Sequence, residues 1–137
     1  MHNAVSAVAA IPCGRLGDRM PKLRVLVGGY ALGVVTNSVL AFGSGSVAWL
    51  VIAITMSGVY IAVEETIEKA TAAEMLPREQ RSLGFGILAC ANAVGDTGAS
   101  LFVGLMLAAG HTTIAFLVPA AMGAIGTVWI AILARRP

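Results

Sequence analysis

The chain has 137 residues, 58% of them hydrophobic and only 12% charged, with a mean hydropathy of +0.86. Soluble domains carry about twice that share of charge and need a polar skin this composition cannot supply, so the chain reads as a membrane protein. The net charge of +2 is too small, and its cations too scattered among apolar runs, for a nucleic-acid footprint, while two distant cysteines, Cys13 and Cys90, give neither a disulfide framework nor a zinc site.

Asn3–Cys13 is apolar but short, roughly 16 Å as a helix, about half a bilayer. It lacks the positive flank and cleavage site of a signal peptide and reads as the last half of a crossing, so that the chain resembles a truncated one. Gly14–Arg24 follows as a basic loop. No charge occurs from Val25 to Val63, a run long enough for two crossings. Gly43-Ser44-Gly45-Ser46 supplies the turn between Val25–Phe42 and a helix spanning residues 47–70. Pro77 cannot continue a helix and suits the first turn of a new one. The third full crossing is Leu83–Ala109, with Asp96 as its single charge; Gly110–Thr113 turns the chain into the fourth, Ile114–Ala134, before Arg135-Arg136-Pro137.

The cations sort by side. Arg15, Arg19, Lys22 and Arg24 precede the first full crossing; Lys69, Arg78 and Arg81 lie between the second and third; Arg135 and Arg136 close the chain. The two opposite turns carry none. By the positive-inside rule the charged loops and the C-terminus face the cytoplasm, and Met1 lies partway through the membrane toward the outside; the cytoplasmic (inner) membrane is the expected location.

No catalytic signature is present: no His-Glu-x-x-His, no Gly-x-Ser-x-Gly, no Walker loop. Gly84–Ala89 matches the loose dinucleotide pattern, but it follows a charged loop instead of a strand. Neither an enzyme nor a cofactor nor a metal is expected. The sharpest local pattern is Gly14-Arg15-Leu16-Gly17-Asp18-Arg19-Met20-Pro21-Lys22-Leu23-Arg24. Its glycines allow a tight reversal, Asp18 can cap a helix or pair with an arginine, and the cations suit anionic headgroups; a generic basic loop would look similar.

That loop resembles the Gly-x-Leu-Ala-Asp-Arg-x-Gly-Arg-Arg signature of the major facilitator superfamily, with Gly14, Asp18, Arg19, Lys22 and Arg24 as its counterparts. Tyr60–Ala70 resembles the tenth helix of a bacterial branch, and Leu76–Gly86, with Pro77 and Arg81, the loop after it. Pro21, Leu23 and Ser82 depart from the usual Gly, basic residue and Gly. The resemblance runs from Asn3 to Ala134 and implies an all-α membrane protein. It would have four full transmembrane helices plus a partial one, the end of helix eight through helix twelve of a six-helix bundle. It further implies a carrier of two rocking bundles with a small solute bound near the midplane. On this reading the N-terminal bundle is the partner, Asp18 has nothing to latch, and the fragment alone is inactive.

Asp96 lies at the middle of its crossing, where a charge costs roughly 2.5–3.5 kcal/mol. Asn92, Asp96 and Ser100 form one polar stripe by i, i+4 spacing. Substrate contact or proton carrying fits such an acid, and so does a bond that holds neighbouring helices together. Glu64, Glu65, Glu68 and Lys69 fall near the cytoplasmic interface, with Glu64–Glu68 and Glu65–Lys69 as i, i+4 neighbours. They read either as a cytoplasmic gate closing by ion pairs or as a solvated helix end. Gly29 with Gly33, and Ala91, Gly95 and Ala99, make small faces suited to close helix packing. Trp49 and Trp129 suit interfacial anchoring, His111 an exposed turn, and the cysteines small apolar filling. Rival readings are an autonomous small membrane protein with a structural or regulatory role, or a chain that self-assembles into an exporter.

Overall fold

The first helix does not stop where its apolar run stops. In the computed structural model, which describes residues 2–43 and 46–135, α1 spans His2–Arg19, so the expected reversal at Gly14 and Gly17 is instead helical. The reason lies in its neighbours. A Cβ on Gly14 would stand 3.7 Å from Thr66, and one on Gly17 only 2.5 Å from Ile67 Cδ1. The two glycines therefore form a notch for another helix and do not turn the chain. The reversal falls to Met20 and Pro21, and the Pro21 carbonyl accepts the Arg24 N–H at 2.9 Å.

Helix α2 spans Lys22–Phe42. Its three consecutive polar residues satisfy themselves locally: the Thr36 and Ser38 hydroxyls and the Asn37 amide donate to the carbonyls of Leu32, Val34 and Gly33, 2.8–3.1 Å away. Such bonding back by four residues lets polar side chains sit in an apolar helix. Helix α3, Val47–Val63, begins at Ser46, whose hydroxyl accepts the Trp49 N–H.

The rod does not end at Val63. Glu64–Glu68 forms a π-helical turn, and Lys69–Met75 continues it as α4, so the whole element reaches Met75 where Ala70 was expected. Pro77 then opens a short 3₁₀ turn, Arg78–Gln80, and α5 follows at Arg81–Ala108. At its end Gly110 adopts φ +79°, the left-handed conformation that glycine reaches without penalty. Its N–H meets Leu107 O and that of His111 meets Met106 O, a Schellman closure. Helix α6, Thr112–Leu133, starts two residues before the expected Ile114.

Four of these elements, Lys22–Phe42, Val47–Met75, Arg78–Ala108 and Thr112–Leu133, are long and apolar enough to cross a membrane. Among the described residues there is no strand. Helix α2 packs against α3 and α6, and α1 packs against α3 and the π turn. Cys13, Val25, Leu26, Ala62, Val63 and Ile67 form the core where these meet. Helix α5 stands apart, touching α6 and α4 and burying no residue. Ser44, Gly45, Met1 and Arg136-Pro137, which figured in the expected turn and termini, lie outside the described residues.

Candidate functional site

The π turn has two unlike sides. Thr66 and the fully buried Ile67, 1% exposed, enter the glycine notch of α1. Glu64, Glu65 and Glu68, with Lys69 beside them, line a cavity of about 390 Å³. Its opposite wall is α5, through Ala89, Asn92, Ala93 and Asp96. The acid of the third crossing and the acidic cluster of the second, read separately in the sequence, thus share one open-sided chamber, in which Glu64 and Glu68 are half-buried and Glu65, Lys69 and Asp96 exposed.

Antiparallel register brings them together. Leu76 lies against Gly84 at the loop, where the absent side chain makes room for it. Farther in, Asn92 Nδ2 donates to Glu68 Oε2 at 3.1 Å across the gap between helices. Farther still, Glu64 and Asp96 line the same chamber. Ser100, the third member of the polar stripe, is exposed and outside the lining.

Two tyrosines complete the polar wall, and sequence reasoning passed over both as functional groups. Tyr60 bonds the Glu64 carboxylate and Tyr30 that of Glu68, with the two rings 6.2 Å apart. Tyr60 stands four residues before Glu64, a spacing that places hydroxyl and carboxylate on one helical face. Tyr30 comes from α2, and nothing in the sequence ties it to Glu68. Its position follows from Gly29 and Gly33, where Cβ atoms would collide with Val63 and crowd the Tyr60 ring at 3.1 Å.

Glu65 and Lys69, neighbours at i, i+4, form no ion pair among the described residues. Instead Lys22 reaches Glu74 Oε1 at 2.6 Å, tying the start of α2 to α4. Asp18, Arg19 and Arg24 are exposed, as is Pro77, while Arg81 Nε donates to the Leu76 carbonyl at 3.3 Å. Cys13 is core filling; Cys90 differs from expectation by being exposed on α5. His111 is exposed, and Trp49 and Trp129 are 42% and 68% exposed near the ends of their helices.

Four carboxylates and one ammonium in a chamber between membrane-crossing helices are costly unless the charges are met by protons, cations or hydrogen-bond donors. Two tyrosine hydroxyls and one asparagine amide already serve as donors. A second chamber of about 380 Å³ adjoins through Lys69, Ala89 and Asn92, and is otherwise walled by Phe85 and Leu88.

The architecture is that of a multi-pass, all-helical membrane protein whose polar groups gather between two antiparallel spans. The chain belongs to the Major Facilitator Superfamily, whose model matches residues 2–137. No curated protein and no solved structure matches it. Members of this superfamily are transporters and not enzymes, so the class of function is membrane transport.

Proposed function

We propose that this chain forms part of a proton-coupled secondary transporter that moves a small solute across the cytoplasmic membrane by alternating access. The observation that carries the reading is the shared chamber, in which Asp96 and Asn92 of α5 face Glu64, Glu65, Glu68 and Lys69. Carboxylates between membrane helices are suited to hold and release protons as access alternates, and Asp96 and Glu64 are the pair for that role. Glu65, Glu68 and Lys69 gate the cytoplasmic end.

No residue of α5 is fully buried among the described residues, so the chamber, walled by the rod and by α5, needs a third wall. The N-terminal bundle of the same carrier supplies it, and without that bundle the chain is inactive. The uneven distribution of lysine and arginine supports a cytoplasmic C-terminus and cytoplasmic charged loops. The test is solute uptake by cells producing the carrier, driven by an imposed pH gradient across a panel of solutes. Asp96→Asn abolishes uptake or removes its pH dependence while membrane insertion stays normal. Unchanged uptake with unchanged pH dependence would discard the proton-carrying role.

A further inference from the structure

The π turn is held from both sides. On one side Ile67 fills the notch at Gly17; on the other, Asn92 of α5 grips Glu68 at 3.1 Å. Just beyond the turn, on α4, Thr71 is buried and its hydroxyl donates to the Ile67 carbonyl at 2.7 Å. A π turn holds one residue more than the α-helical turn it replaces, so its closure moves everything beyond it by one residue of register. At 3.6 residues per turn, that rotates Lys69–Met75 by about 100° against α3. The rotation would carry Thr71 off its buried face and draw Glu74 away from Lys22.

We infer that Glu64–Glu68 is a two-register switch and that Asn92 is the positioning residue that latches it in the wide form. Movement of α5 away from the rod breaks the Asn92–Glu68 bond, the turn closes to α geometry, and α4 swings with its cationic and acidic ends. Motion of α5 is thereby converted into rotation of α4 near the Lys22–Glu74 tie. The groups facing the latch are Glu64, Glu65 and Lys69 on the rod, Tyr60 and Tyr30 behind it, and Asp96 on α5. The latch itself is a hydrogen bond and does not need a charge on Glu68: a glutamine there still offers an oxygen to the Asn92 amide.

The inference goes beyond the transport reading, and its test reads register and not uptake, so the two can fail separately. A thiol reporter is placed by Thr71→Cys in the full chain in its membrane, with Cys13 and Cys90 replaced by alanine. Labelling by a water-soluble maleimide is then followed with time. With Asn92 present the reporter is slow, because position 71 is buried. Asn92→Ala raises the labelling rate about tenfold or more, and so does Glu68→Ala, whereas Glu68→Gln leaves it slow. Glu68→Ala also removes the Tyr30 bond, so Tyr30→Phe is its control: that variant leaves the reporter slow, and the Glu68 pair then keeps the test decisive should Asn92→Ala insert poorly. Equal rates in Glu68→Ala and Glu68→Gln, or a rate unchanged by Asn92→Ala, would overturn the switch.

Discussion

Gly14, Gly17, Gly29 and Gly33 on α1 and α2 each meet a side chain of a neighbouring helix, whereas Gly86, Gly95, Gly98 and Gly104 on α5 meet nothing within 4 Å. In the sequence the two sets look alike, since both make small faces at helical spacing. In the structure the first set closes a core around Ala62, Val63 and Ile67, and the second lies bare along a helix with no buried residue. Helices in a bilayer gain little from hiding apolar surface, so close backbone approach and interhelical hydrogen bonds decide which pairs hold. By that measure α1, α2, α3 and α6 are one packed body. Helix α5 is attached by its ends and by the Asn92–Glu68 bond, as a part that moves against the rest would be.

The largest break in this contrast comes from filling the packed set. Gly29→Leu drives a side chain into Val63, and Gly17→Leu displaces Ile67. Each lowers stability by about 1–3 kcal/mol or more, read as a fall in the unfolding temperature of the detergent-solubilised chain. Gly33→Ala has a smaller effect, because the Tyr60 ring at 3.1 Å can give way; a few tenths of the leucine penalty is expected in the same assay. Lys22→Ala removes the tie to an exposed Glu74 and costs about 0.2–1 kcal/mol, less at high salt. Gly95→Leu, in open space, changes the stability of this chain by no more than about 0.5 kcal/mol. A loss as large as that of Gly29→Leu would mean that α5 packs within this chain after all.

Much of the architecture was legible because membrane physics writes it in long strokes. Charge-free runs gave the crossings, glycine clusters the outer turns, and Pro77 the break after the second long rod. What escaped depended on contacts between segments. Gly14 and Gly17 read as turn formers because glycine serves turns and close packing equally, and only Ile67 in the notch distinguishes them. The π turn left no periodic mark, since one added residue in a polar stretch disturbs no apolar pattern. Asp96 stood out through the cost of a charge in mid-membrane, yet its meeting with Glu64 depends on how α5 runs back along the rod. Tyr30 was invisible for the same reason, reaching Glu68 from a helix that is distant in sequence.

The acids of the second and third full crossings share one chamber, and cross-linking Glu64→Cys with Asp96→Cys in membranes reads that proximity, using a short bifunctional thiol reagent after Cys13 and Cys90 are replaced by alanine. An intramolecular link is expected for that pair and none for Glu64→Cys with Ser100→Cys, because Ser100 lies outside the lining. No link at Asp96, or an equal link at Ser100, would contradict it.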